Sequence, residues 1–574
     1  MTSLAQSCFL ILTILVSPFS HARGVWEGYT SSPAYSPSKW SLWISQPPAN
    51  CPFKQSMKFK GLAFSDLHAE YENADTWYPS WASDGNLYSP WTDGTVEGIT
   101  SSSGGKEATT GYAKIVGDDP LHLTITDVGT YPSDPSPYGG RYPCGSLVYN
   151  GVWYYGTYCL LDGGNGLNWD VLGPFVGFRW SENFGKSWTQ TPCTPSHPLF
   201  GEQSLHHEPI RIGSPHFVDF GKNMEYSPDG YAYLVAHGAS KGPQGRRKAY
   251  DSWITGDEVY LIRVKPSIAD MNDISKYQFF SGYDTAGRAR WSGDFKKIQP
   301  IAKWMNHMGC VTMTYDAPLK RYLMCVTDGG NTLSMFNTYL LESQDITGPW
   351  RLVTYMEHFG QQGYFVNVPS KFIRSDGKTF WLCYAANFSG GENGTPFRSN
   401  PPGGRYGMCL RKVKLVSPND PLLNTDILQS PDNIAPDALL TVSSVHAGYS
   451  ENGAVDRVVG GFPGDTSHEW ASNGEGSGAF IRLEWQRDHI VNRVLLFDRP
   501  NNLDRILSGV LVFSDGTSIQ TKALPDDAKR GLDVLFPPKK IHWLIFIVNR
   551  VKPNSPNIGL SEIAVFTTKK RDGR

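Results

Sequence analysis

Five stretches of this chain repeat one build, and that recurrence limits the folds open to it more than any other feature. They are ADTWYPSWASDGNLYSPWTDG from Ala74, CGSLVYNGVWYYGTYCL from Cys144, SPHFVDFGKNMEYSPDGYAYLVAHG from Ser214, HMGCVTMTYDAPLKRYLMCVTDG from His307 and NVPSKFIRSDGKTFWLCYAANF from Asn367. Each has a polar or small start, a short apolar run, a turn rich in Gly, Asp, Asn or Pro, and a second run ending on a polar group, which is the pattern of a β-hairpin. Spaced by about sixty to ninety residues, they suit blades of four strands with decorated loops. Outer strands follow at PFVGFRWSENFGKSWTQ, DEVYLIRV, TYLLESQDITGPWRLV and YGMCLRKVKLV. The expectation is an all-β chain whose residues 23–416 form a five-bladed β-propeller, with the polar ends of the inner strands gathered at one mouth of a central channel.

Composition agrees with a loop-rich β protein of more than one domain: 59 Gly and 40 Pro in 574 residues, 18% charged and 13% aromatic. Lys plus Arg number 52 against 54 Asp plus Glu, so no net field recruits nucleic acid or an anionic membrane. CFLILTILV from Cys8 is apolar but too short to span a bilayer, and Ser20-His21-Ala22 offers small residues to a signal peptidase. Residues 1–22 are therefore expected to be a signal peptide, and the rest a secreted monomer without membrane insertion.

Eight cysteines follow Cys8, an even number that favours disulfides in an exported chain. Cys144 and Cys159 share the second hairpin and Cys310 and Cys325 the fourth, so each pair is a candidate bridge. The alternative is that they are buried thiols acting as small core residues. Asn387-Phe388-Ser389 and Asn393-Gly394-Thr395 are glycosylation sequons in a eukaryotic host.

Residues 417–436 are rich in proline and lack periodic apolar pattern, as a linker does. Beyond it FIRLEW, VNRVLLFD, SGVLVFSDG, LDVLFP, HWLIFIVNRV and LSEIAVF are strands with turns between them, predicting a jelly-roll β-sandwich over residues 437–568 and a basic tail at 569–574. DALLTVSSVHAG, AVDRVVGG, VLVFSDGTS and NIGLSEIAVF in this segment resemble the discoidin-like, galactose-binding-like modules. The resemblance implies a sugar-binding fold, in which Asp456 corresponds to an acidic ligand of a structural calcium or serves as a turn residue; no other cofactor is implied.

In the first hairpin, with Asp84-Gly85 as a two-residue turn, Asp75 and Thr76 should lie beside Asp93 and Gly94. Two carboxylates at the channel mouth would push their pKa values apart, leaving one ionised and one able to give a proton, as glycosidic cleavage requires. Glu208, in SLHHEPIRIGSPHF, precedes the third inner strand and is a further candidate acid. Asp328 holds in the fourth hairpin the place of Asp93 in the first. His216, His237 and His307 begin or end inner strands, where imidazole could bind sugar hydroxyls. Trp77 and Trp81 could stack on sugar faces. No spacing indicates a metal: His206-His207-Glu208 would point its side chains apart. SENFGKSW from Ser181 resembles the Asp-box turn of sialidases, with Asn183 in place of the Asp.

DTWYPSWASDGNLYSPWTDG, SPHFVDFG, DEVYLIRV, YQFFSG and TGPW, in that order, resemble the propeller family that includes bacterial endo-D-arabinanases. The resemblance spans about residues 60 to 415 and implies a glycoside hydrolase acting on a polysaccharide, arabinan first, with Asp75 and Asp93 as its acid pair. A lectin-like propeller that binds glycan without turnover is the alternative.

Overall fold

The computed structural model describes residues 40–567 apart from 44, 46, 163–170, 206–207, 242–251, 330–334, 393–394, 397–400, 402, 419, 421, 423–425 and 527–530. The expected signal peptide, the basic tail and the second sequon lie outside them. The described chain is all-β, with helix confined to short turns, most of them 3-10. Among the described residues, no helix is long and apolar enough to cross a membrane.

Up to Val416 the chain builds five antiparallel sheets in sequence order, together with a small two-stranded ladder. The first runs from Asn73–Asp75 and Ser80–Trp81 through Leu87–Val96 and Thr109–Val116 to Thr124–Pro132. The second is Gly140–Tyr149, Val152–Leu161 and Val171–Ser181, and the third starts with His216–Phe217, Ala232–Gly238 and Glu258–Val264. Gly309–Asp316, Arg321–Asp328, Asn337–Ser343 and Arg351–Met356 make the fourth. The fifth joins both ends of this region: Tyr364–Asn367, Thr379–Ala385 and Met408–Val416 continue onto Gly61–Tyr71 and Trp40–Leu42. The first four predicted hairpins supply neighbouring strands of one sheet each; in the fifth only the second run, Thr379–Ala385, is a strand, and its partner Tyr364–Asn367 lies ahead of the expected start at Asn367. Gly61–Tyr71 carries no turn signal of its own, so its place beside Met408–Val416 was not legible from hairpin pattern.

YLVA, at Tyr233–Ala236, buries continuously in the way a strand covered on both faces does, whereas LIFIV, at Leu544–Val548, alternates buried and half-buried as a strand covered on one face does. One large buried cluster extends from Tyr78 to Ala385 and draws on Leu160, Val235, Leu261, Val326 and Leu341. A separate cluster, from Ile434 to Val565, contains Trp470, Leu483, Leu511, Leu544 and Phe546. Around it Leu439–Val442, Phe480–Phe497, Leu532–Val551, Ile506–Phe513 and Ser518–Thr521 pair in one sheet with Glu562–Thr567 on Phe480–Phe497, and Trp470–Ala471 pairs with Gly559–Leu560. The expected linker is not wholly polar spacer: Leu428 packs with Leu495, Phe497 and Phe566.

The expected disulfides are absent, and all eight cysteines from Cys51 to Cys409 are free thiols. Register explains it. Cys159 stands opposite Arg141, and Cys325 opposite Thr312. Cys144 and Cys310 project into one core while Cys159 and Cys325 face others. A bridge across neighbouring strands needs both side chains on one face.

Candidate functional site

A cavity of about 300 Å³ is lined by Asp75 and Asp93 of the first sheet, Tyr142 and Tyr158 of the second, Phe365 of the fifth, Trp253, Phe388 and Tyr406. Local backbone irregularity aims these groups. Asn73 pairs with Thr95 but Asp75 with Thr92, so one extra residue interrupts the ladder at Asp93, whose φ is 48°. Two-for-one interruptions of this kind re-aim a side chain. Gly94 is required in this bulge, because a Cβ there would lie 2.0 Å from the Asn73 carbonyl oxygen. The predicted register was out by one to two residues, since Asp84 accepts from the Asn86 amide inside a wider turn closed by Trp81 opposite Leu87. The expected nearness of Asp75 and Asp93 nonetheless stands.

The two carboxyls are not equivalent. Asp75 is pushed well above the usual carboxylate range, first by burial and then by the charge of Asp93. Hydroxyls oppose the shift: Thr76 donates to Oδ1 at 2.8 Å and Tyr364 to Oδ2 at 2.9 Å. Burial raises Asp93 to about 6, opposed by the Ser103 amide, which donates to its Oδ1 at 2.6 Å. The two carboxyls titrate as a pair in which both are raised, Asp75 by burial and by the charge of Asp93, and Asp93 by burial. Tyr142, Tyr364 and Tyr406 are all raised by burial and by these carboxylates, so they stay neutral. Tyr406 donates to the Asp93 carbonyl oxygen.

The other candidates lie elsewhere. Glu208 is exposed in a loop outside the cavity lining. Trp77 is 1% exposed and donates from Nε1 to Ala74 within the core. Trp81 and His216 line a second, smaller recess, where the imidazole lies 3.9 Å from the Tyr78 ring and burial depresses its pKa. His237 is buried beneath the turn that carries Trp253. His307 and Asp328 pair with one another, Nδ1 lying 2.8 and 2.9 Å from the two carboxylate oxygens, with Tyr355 donating to the same carboxylate at 2.7 Å. The cavity residues missed from sequence are Tyr142, Trp253, Phe365, Phe388 and Tyr406. Their only signal was aromatic content near strand ends, which core packing produces equally.

In the C-terminal segment, Arg499 is buried with its guanidinium bonded to Glu469 at 2.8 and 3.0 Å and to Asp504 at 2.7 Å. Glu562 in the same segment has a buried Oε1 without a partner, and burial, then Asp456, pushes it up to about 10. Asp456 is itself engaged, accepting from the Val458 amide at 2.8 Å with His468 Nδ1 2.6 Å from its other oxygen. Among the described residues no group of three or more His, Cys, Asp or Glu side chains gathers as a metal site would.

A domain of unknown function, DUF7402, matches residues 433–566. No curated protein sequence matches the chain. Among solved structures, the lectin domain of lectinolysin complexed with Lewis B antigen is similar at 21% identity and a TM-score of 0.21, covering 24% of this chain and 99% of that one. A fucose-binding module of Streptococcus pneumoniae is similar at 15% identity and a TM-score of 0.20, covering 24% of this chain and 98% of the module. The family 32 CBM of C. perfringens NanJ in complex with galactose is similar at 9% identity and a TM-score of 0.20, covering 24% of this chain and 98% of that one.

Proposed function

We propose that this protein is a secreted glycoside hydrolase acting on a neutral polysaccharide, with arabinan the first substrate to test. The single observation that carries the reading is the pair Asp75 and Asp93 in one cavity, both raised above the usual carboxylate range; in this reading Asp75 holds the proton and Asp93 the charge. Asp75 gives its proton to the departing glycosidic oxygen as the bond to the anomeric carbon breaks. The Asp93 carboxylate either attacks that carbon, after which water cleaves the glycosyl ester and gives its proton to Asp75, or takes a proton from the attacking water and then releases it to solvent while Asp75 regains one. Neutral tyrosines around the pair are donors for sugar hydroxyls and for the carboxylates themselves.

In this reading the five sheets of residues 23–416 are the blades of a propeller, closed where Gly61–Tyr71 joins Met408–Val416. Residues 437–568 are a jelly-roll module that holds polymer near the cavity. The test is reducing-sugar release from arabinans and other furanose and pyranose polymers. Release from at least one polymer is expected. Binding without release on every polymer would instead establish a lectin-like propeller.

A further inference from the structure

We propose that Trp253 decides which sugar the cavity accepts, and that His237 is a positioning residue that acts through it. This rests on reading the cavity as a glycan site. The cavity has two kinds of wall: acids and tyrosine hydroxyls on one hand, and Leu160, Trp253, Phe365 and Phe388 on the other. Trp253 is the largest of these apolar side chains. Its indole is held by Tyr364, Phe388, Phe365 and Phe336, with ring centroids 5.2, 5.6, 5.7 and 6.0 Å away. An indole so fixed offers a flat apolar surface to the C–H face of a sugar, and its position sets which ring can lie between it and the acids.

The backbone that carries Trp253 is a tight turn clamped at three successive carbonyls. The Ser252 amide donates to Thr255 at 3.0 Å and closes the turn. The Ser252 carbonyl accepts from His237 Nε2 at 2.8 Å, that of Trp253 from Cys310 Sγ at 2.6 Å, and that of Ile254 from the Gly329 amide at 3.0 Å. The donors come from the third and fourth sheets, so the turn is wedged between them. Space for it exists only because two neighbours lack side chains: a Cβ at Gly309 would lie 2.2 Å from the Ile254 carbonyl carbon, and one at Gly329 2.6 Å from the Ile254 Cβ.

His237 is completely buried and burial lowers its pKa to about 4, so the ring is neutral with its one N–H on Nε2. Its Nδ1 meets no partner. A ring that uses one nitrogen, away from the cavity and on the turn, supports the turn and not the sugar. Gln can present an N–H at similar reach, and Leu cannot.

The test is steady-state kinetics of the full chain on arabinan for wild type, Trp253→Ala, His237→Leu, His237→Gln and the Trp253→Ala/His237→Leu double variant. Trp253→Ala should raise KM about tenfold while kcat changes less than about twofold, the size of a lost stacking contact. His237→Leu should show the same split and His237→Gln should restore it. The double variant should be no worse than Trp253→Ala. A fall in kcat at unchanged KM in His237→Leu, or an unrescued loss in a folded His237→Gln, overturns the inference. If His237→Leu does not fold, Cys310→Ala against Cys310→Ser reads the neighbouring clamp, and equal KM in both overturns it. Calorimetric binding of arabinan to the same series keeps the two readings apart. Binding without cleavage overturns the hydrolase reading, and the pattern is then read in Kd. Equal Kd across the series overturns the role of Trp253, and a wild type that neither binds nor cleaves overturns both.

Discussion

Asp75 receives hydroxyl hydrogen bonds that favour its charge, yet burial and the neighbouring Asp93 outweigh them. Tyr364→Phe removes one such donor, so it should move the basic limb of the pH–rate profile to higher pH, because the acid then holds its proton longer. The sign for stability follows from Asp93, whose folded pKa of about 6 lies above the ordinary carboxylate value. That raised value favours the protonated fold: its contribution is present below the ordinary value and is lost as pH rises through about 6. Asp93→Asn has no such proton to lose, so thermal melts should show a smaller drop from about pH 5 to about pH 8 than wild type. An equal drop in both would contradict it. The nearness of Asp75 and Asp93 was legible because a carboxylate at a polar strand end in a repeated hairpin stands out. Glu208 looked equivalent in sequence, but adjacency to a strand says nothing of direction, and its side chain is exposed.

The same irregularity recurs in the leading strands of several sheets. Tyr155 pairs with Ser146 but Thr157 with Pro143, Gly309 with Thr327 but Thr312 with Cys325, and Tyr364 with Ala385 but Asn367 with Cys383. Each places two residues against one, and the last carries Phe365, at φ 54°, onto the cavity wall. Alternating pattern reveals a strand but not an inserted residue, and one insertion flips every later side chain to the other face. The hairpins were therefore readable while the cysteine pairing was not. Non-reducing peptide mapping should find Cys144, Cys159, Cys310 and Cys325 as free thiols, and a Cys144–Cys159 peptide would contradict the register. Gly94→Ala should cost about 2 kcal/mol or more in chemical denaturation, since its Cβ would collide with backbone at 2.0 Å.

Over the whole chain, the order of the five sheets follows the order of the hairpins, but the closing pair of Gly61–Tyr71 with Met408–Val416 joins residues hundreds of positions apart and has no local signal. The C-terminal segment has a hydrophobic cluster of its own, so it should fold when expressed alone. Leu428 belongs with it: in a fragment from residue 426, Leu428→Ala should cost about 2 kcal/mol, the worth of one buried leucine. Equal urea midpoints with and without the substitution would show that Leu428 contributes nothing. The account as a whole turns on Asp75 and Asp93 dividing acid and base between them. Its most direct test is the pH–rate profile for sugar release by wild type, Asp75→Asn, Asp93→Asn and the double variant. Wild-type activity should rise through about pH 6 as Asp93 ionises and fall where Asp75 loses its proton. Each single variant should lose at least about a thousandfold in kcat while remaining folded, with the double variant little worse. Single variants that turn over near the wild-type rate with an unshifted profile would contradict the account.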